Sequence, residues 1–220
     1  LKNVRSPKIS LDGKWIAFTV SELDLEKDKS ETRIWMIPTG VGDAIPMTSK
    51  GYSASQPRWS PDNKYLSFLA AKNDGKKQVW TLNLLGGEAQ QLTKIKQGVS
   101  GHEWSPDGKY LAFIMHVSSE PALKPVGVPE KPKNASWTKG PQVIDQVDYT
   151  QDRVGFLERG FRQLFIVPAE GGTARQITFG EYDDISSGIC WSKESKTIIF
   201  NSYQKSQAEY ARGQSNLCLL

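Results

Sequence analysis

Apolar residues in this chain arrive in short bursts of alternating character, closed at each end by turn-forming residues. In Gln78-Val-Trp-Thr-Leu-Asn-Leu84, Val79 and Thr81 fall on one side and Trp80 and Leu82 on the other, a period of two. That period suits strands, and no segment sustains the 3.6-residue period of a helix. The bursts end at Pro-Asp-Gly, Pro-Asp-Asn or Gly-Gly. Proline presets φ, aspartate bonds the nearby backbone, and glycine or asparagine tolerates positive φ. The pattern predicts an all-β chain of short antiparallel strands joined by tight turns.

The bursts repeat. Trp59-Ser-Pro-Asp-Asn-Lys-Tyr-Leu-Ser-Phe68 returns as Trp104-Ser-Pro-Asp-Gly-Lys-Tyr-Leu-Ala-Phe113. Ile9-Ser-Leu-Asp-Gly-Lys-Trp-Ile-Ala-Phe18 is a close copy and Trp191-Ser-Lys-Glu-Ser-Lys-Thr-Ile-Ile-Phe200 a worn one. A second motif follows the first three copies. It runs from Trp35, Trp80 or Phe165 through a glycine turn to Thr48, Thr93 or Thr178, 13 positions on each time. From that threonine to the next tryptophan the distance is 11 positions (Thr48 to Trp59, Thr93 to Trp104) or 13 (Thr178 to Trp191). Only the interval inside each unit varies, and in the third it stretches from Phe113 to Phe165.

Four strands in 40 to 50 residues, repeated, are the signature of a β-propeller blade. The units are expected at about 6–50, 55–94, 99–180 (with an insertion at 117–160) and 186–220. In the last unit Cys218 stands where Trp35, Trp80 and Phe165 stand. The expectation is about three and a half blades. Known propellers close with roughly four to eight, so the chain reads as the N-terminal part of a longer polypeptide. Three recurring aromatic positions are expected to fill the gaps between blades: Trp59, Trp104 and Trp191; Trp35, Trp80 and Phe165; Trp15, Tyr65 and Tyr110. Burying each ring contributes about 2 to 3 kcal/mol. The uncovered faces of an incomplete ring predict self-association of the chain.

Composition narrows the function without choosing it. The 220 residues are 38% hydrophobic with a net charge of +4, and no block of like charges points to nucleic acid or anionic lipid. No apolar run reaches the roughly 18 to 20 residues of a spanning helix. Cys190 and Cys218 cannot build a disulfide framework or a four-ligand zinc site, and two buried free thiols are expected. Leu1-Lys2-Asn3 shows neither an initiator methionine nor a signal-peptide pattern, so a mature or trimmed form is expected and the compartment is not written in the chain.

Candidate chemistry is sparse. Gly51-Tyr-Ser-Ala-Ser55 lacks the final glycine and the helix of a serine nucleophile elbow and reads as an inter-blade loop. His102 and His116 form no metal spacing, and His102 and Glu103 should point to opposite faces of a strand. Gly40-Val41-Gly42 is a turn, without the third glycine of a dinucleotide site. No catalytic residue, metal or cofactor is expected. Glu181, Asp183 and Asp184 cluster before the fourth unit and could bind a cation or a peptide amino end; a solvated loop is the other reading. Asp145 and Tyr149 lie on a strand expected at Val143–Tyr149, after a Pro- and Lys-rich stretch and before a turn near Gln151-Asp152. A long hairpin leaving a rigid blade exists to touch something.

The Trp-Ser-Pro-Asp-Gly-Lys-Tyr-Leu-Ala-Phe repeat resembles that of TolB-type propellers and of the prolyl oligopeptidase family of serine peptidases. Val143-Ile-Asp-Gln-Val-Asp-Tyr149, then Gly155-Phe-Leu-Glu-Arg159 and Gln163-Leu-Phe-Ile-Val167, is similar to the acylaminoacyl-peptidase and dipeptidyl-peptidase-like branch, as is Gly171-Gly-Thr-Ala-Arg-Gln-Ile-Thr178 with Tyr182-Asp-Asp184. The resemblance implies a non-catalytic propeller that caps a C-terminal α/β-hydrolase domain and admits short peptides by size. No triad residue transfers onto this chain. The rival implication is a TolB-like protein-binding scaffold of the cell envelope.

Overall fold

A computed structural model describes residues 2–26, 28–72, 75–120, 127, 129, 131–138, 143, 144, 147, 149–152, 154–182, 188–202 and 216–220. These form strands and turns. Sheet 1 comprises β1 (Lys2–Ile9), β2 (Trp15–Asp24), β3 (Lys29–Pro38) and β4 (Ile45–Pro46). Sheet 2 comprises β5 (Ala54–Trp59), β6 (Tyr65–Ala70), β7 (Gln78–Asn83) and β8 (Gln90–Gln91). Sheet 3 takes β9 (Gly101–Trp104) and β10 (Tyr110–Ser118), then β13 (Gly160–Pro168) and β14 (Arg175–Gln176). Between β10 and β13 a small hairpin forms from β11 (Thr150–Gln151) and β12 (Gly155–Phe156). Sheet 4 holds β15 (Ile189–Trp191), β16 (Ile198–Ser202) and β17 (Asn216–Leu219). All pairings are antiparallel and follow chain order.

The repeat letters set the register. The phenylalanine that closes the first motif faces the key residue of the second across each pair of central strands: Phe18 opposite Trp35, Phe68 opposite Trp80, Phe113 opposite Phe165 and Phe200 opposite Cys218. Between the two innermost strands the serine does double work. In sheet 2 Ser60 Oγ donates to Asp62 Oδ1 at 2.6 Å and accepts the Tyr65 N–H at 2.9 Å. Sheets 1 and 3 copy this through Ser10, Asp12 and Trp15 and through Ser105, Asp107 and Tyr110. Those bonds to serine hold the Asp12 and Asp107 carboxyls below the usual carboxylate range. The threonine ending the second motif caps the third strand, its Oγ1 accepting from Ile34, Val79 and Leu164 N–H in turn.

The sheets stack face to face in chain order. Their innermost strands β1, β5, β9 and β15 touch one after another, as strands around a common axis do. Three apolar clusters fill the gaps. Ala17, Ile34 and Met36 of sheet 1 meet Leu66, Phe68 and Leu82 of sheet 2. Leu69 and Val79 of sheet 2 meet Leu111, Phe113, Phe165 and Val167 of sheet 3. Ala112, Ile114 and Leu164 of sheet 3 meet Ile198 and Phe200 of sheet 4. Each sheet therefore presents a rear face to its predecessor and a front face to its successor. The recurring tryptophan of the innermost strand locks each junction through its indole N–H: Trp59 to Lys8 O (2.8 Å), Trp104 to Ser67 Oγ (2.7 Å) and Trp191 to Glu103 O (3.4 Å). The ring of sheets is not closed. The fold is an incomplete β-propeller of four-stranded blades, with three strands described in the fourth sheet.

Three expectations need correction. Tyr65 and Tyr110 are not gap-filling rings: both are exposed, because they start strands beside the turn and face its solvated end. Of the cysteines, both are free, but Cys190 is exposed on the uncovered face of sheet 4, and Cys218 is half-buried against the cluster that joins sheets 3 and 4. The strand expected at Val143–Tyr149 is not seen among its described residues, Val143, Ile144, Val147 and Tyr149. Strand structure begins instead at Thr150, where the turn supplies a partner in Phe156.

Candidate functional site

The antiparallel order places the β1–β2 type turns at one end of the sheets. It places the β2–β3 type connections, including the long one of sheet 3, at the other. Cross-bonds confirm that the turns share an end: Leu11 N–H donates to Asn63 Oδ1 and Asp107 N–H to Ser195 Oγ, each at 2.9 Å.

At the opposite end the β10–β13 ladder runs unbroken from Tyr110↔Pro168 to Ser118↔Gly160, giving the connection over residues 119–159 a rigid base. Gly160 adopts φ +147, and a Cβ there would collide with the Val117 carbonyl and reach His116 Nε2. Only glycine lets the two strands approach so closely. Beyond the base, Tyr149 and Phe156 stack with centroids 6.3 Å apart, and Leu157 N–H donates to Tyr149 O at 2.8 Å. Tyr149, Val154 and Phe156 are all exposed. The hairpin offers an apolar tip. Its turn, closed by the Val154 N–H donating to Gln151 O at 3.1 Å, lies where Gln151-Asp152 predicted one.

The loop after β14 is tied to the same end of sheet 3. Buried Gln163 accepts from Thr178 Oγ1 at 2.7 Å and donates through Nε2 to Tyr182 O at 3.0 Å. Gln78 makes the equivalent bonds in sheet 2, with Thr93 Oγ1 and Ile95. These buried glutamines were not singled out from the sequence; the signal was present as Gln immediately before Val79 and Leu164 in two copies of the motif. Glu181 is exposed on the loop Gln163 anchors. Thus Glu181 and Tyr149 leave the same end of one sheet, with no hydrogen bond or ion pair between them among the described residues. Asp145, Asp183 and Asp184 lie outside the described residues.

A cleft of about 600 Å³ opens at the turn end between sheets 2 and 3, lined by Ser60, Asp62, Tyr65, Gln90, Trp104, Asp107 and Glu170. It was not foreseen, because it exists only where two stacked sheets diverge. Asp62 and Asp107 are engaged by their own turns, and Tyr65, Gln90 and Glu170 line the cleft beside them.

Near the axis, Arg58 Nε and Glu103 Oε2 pair at 2.7 Å across neighbouring innermost strands. His102 points the other way, as expected, and is buried with Nε2 2.9 Å from Ser67 Oγ. Burial, with a smaller contribution from the Arg58 charge, pushes its pKa down to about 3. It is a neutral, structural histidine. Ser53 Oγ accepts the Thr32 N–H at 3.1 Å, a loop contact without a histidine base. Among the described residues no three of His, Cys, Asp and Glu converge as metal ligands, and no helix is long and apolar enough to cross a membrane.

No family model matches the chain. The uncharacterized peptidase YuxL of Bacillus subtilis is 26% identical over 200 residues, covering 91% of this chain and 29% of that protein. Acylaminoacyl peptidase of Pyrococcus horikoshii superposes with a TM-score of 0.71 at 18% identity, covering 100% of this chain and 31% of that one. TolB from Acinetobacter baumannii superposes at 0.54 with 13% identity, over 100% of this chain and 52% of that one. The propeller architecture is shared. The chain spans about a third of the length of the peptidases it matches.

Proposed function

We propose that this chain is the non-catalytic propeller portion of a serine peptidase of the prolyl oligopeptidase type, with the hydrolase domain elsewhere in the parent polypeptide. The observation that carries the reading is the 26% identity to a peptidase over 91% of this chain but only 29% of that protein. The described residues supply a rigid stacked scaffold and no assembled nucleophile, base and acid. Its role is then mechanical. Sheets locked by tryptophan bonds and apolar clusters make a wall that does not deform, and the size of the opening decides which peptides pass. On this reading Glu181 and Tyr149, on connections that leave the same end of sheet 3, are the described residues a peptide would meet on its way to the catalytic domain.

Purified parent polypeptide and the 220-residue chain are to be assayed side by side on aminoacyl and acylated-peptide chromogenic substrates. Hydrolysis by the parent with none by the shorter chain is the expected result. Activity in the 220-residue chain, or a parent that binds envelope proteins and cleaves nothing, would overturn the assignment, the second outcome favouring a TolB-like scaffold.

A further inference from the structure

At the end of sheet 2 opposite the turns, two stretches meet: residues 71–77, between β6 and β7, and residues 94–98, between β8 and β9. Together they hold Lys72, Lys76, Lys77, Lys94 and Lys96 against one acidic residue, Asp74. The chain shows no run of like charge here, because Lys77 and Lys94 are far apart in sequence; the fold gathers them. Buried Gln78 joins the two stretches, its Oε1 accepting the Ile95 N–H at 2.9 Å and its Nε2 donating to Ile95 O at 2.6 Å. Val99 N–H donates to Lys77 O at 2.8 Å. Gly98, at φ +85, passes so close that a Cβ there would stand 2.9 Å from the Lys76 Cβ. Lys77 therefore lies beside the Gln78 clamp, and Lys94 and Lys96 flank Ile95 on its other side.

Lys76, Lys77, Lys94 and Lys96 are exposed, and none is ion-paired among the described residues. Lys72 is held differently, its Nζ 4.0 Å from the Trp80 ring centroid and 4.5 Å from that of Tyr52. The turn end is the contrast: Lys14, Lys64 and Lys109 there each face the aspartate of their own turn. Lysines clamped together without a counter-charge raise the local positive potential, which draws an anionic partner in.

We propose that this lysine cluster is a docking surface for a flexible acidic polypeptide segment. Charge complementarity names the partner. Lysine is a compact, hydrated point charge that suits loosely ordered carboxylates, whereas arginine forks favour phosphate, and neither stretch contains an arginine. The bases of a nucleic acid strand need free rings to stack on, and Lys72 already covers Trp80 and Tyr52. A flat anionic bilayer would also meet exposed Asp152, Glu158 and Glu181, on connections that leave the same end of the sheets, while a flexible segment follows the lysines alone. The inference rests on sheet 2 and does not depend on the peptidase reading.

Fluorescence anisotropy of the 220-residue chain with a labelled peptide of about twelve residues, alternating aspartate and glycine, should show saturable binding that weakens as salt rises. Lys77→Glu, Lys94→Glu and Lys96→Glu combined should weaken it by about tenfold or more. Lys14→Glu, Lys64→Glu and Lys109→Glu make the same change in net charge at the turn end and should leave it within about twofold. All six side chains are exposed, and circular dichroism checks that both variants fold. In the unaltered chain, the peptide should slow acetylation of Lys77, Lys94 and Lys96 by an amine-reactive ester while leaving Lys14, Lys64 and Lys109 unprotected. Equal weakening by the two triple variants would reduce the effect to net charge and overturn the proposal. So would absence of binding, or tighter binding of a single-stranded oligonucleotide or a phosphatidylglycerol vesicle than of the peptide, either of which would name a different partner.

Discussion

Sheets 2 and 3 have neighbours on both faces; sheets 1 and 4 have one. In β6 every residue after Tyr65 is buried, and in β10 the run from Leu111 to Ile114 is too. In β16 burial alternates residue by residue from Ile198 to Ser202. The sequences of these strands are nearly interchangeable: Tyr-Leu-Ser-Phe, Tyr-Leu-Ala-Phe and Thr-Ile-Ile-Phe. The difference therefore comes from what stands opposite, not from the strand itself. A blade strand is apolar on both faces because it is built for two neighbours, and alternation in burial marks a missing one.

That contrast can be broken by mutation. Phe68→Ala or Phe113→Ala, in gaps closed on both sides, should cost about 3 to 5 kcal/mol in urea unfolding. Phe18→Ala, the same residue on an uncovered face, should cost less than half as much in the monomer. Equal losses would mean that the faces of sheet 1 and sheet 2 are not differently covered.

The second prediction concerns pH. The folded pKa of His102 lies well below the unfolded value near 6.5, so between about pH 6.5 and 3 the unfolded chain binds the extra proton. Stability should be flat above 6.5 and fall as pH drops through that window, approaching about 1.4 kcal/mol per pH unit. His102→Gln should lose this slope, whereas His116→Gln should keep it. Denaturant midpoints measured from pH 7 to pH 4 test this, and an unchanged slope in His102→Gln would refute it.

Smaller effects sharpen the same comparison. Trp104→Phe removes an indole bond inside a covered junction and should cost about 1 kcal/mol. Trp191→Phe, whose 3.4 Å bond sits at the edge of the half-buried fourth sheet, should cost measurably less by thermal or urea melts. The Arg58–Glu103 pair comes last. Both side chains are partly exposed, and a double-mutant cycle with Arg58→Met and Glu103→Gln should return about 0.5 to 1 kcal/mol, falling with added salt.

Much of the fold was legible because its rules are local. The Ser-x-Asp turns and the strands that follow them come from residues repeated at fixed offsets. The candidate site was less so. Tyr149 and Glu181 lie on the connections where they were expected, but the strand leading to Tyr149 is not seen at Val143, Ile144 or Val147, whose strand-forming side chains do not by themselves make a ladder. Gln163 and Gln78 escaped notice because a polar residue before an apolar run reads as solvent-facing until the threonine 15 positions on is seen to fold back over it.

By itself the sequence determined the blade: how many strands and which turns, since hydrogen bonding and φ preferences act over a few residues. The tertiary structure alone decided which faces are dry, where the cleft opens and why His102 stays neutral. Each of those depends on a second sheet distant in the chain, 35 positions off for Ser67 and His102 and 88 for Glu103 and Trp191, and water is excluded only once both are in place.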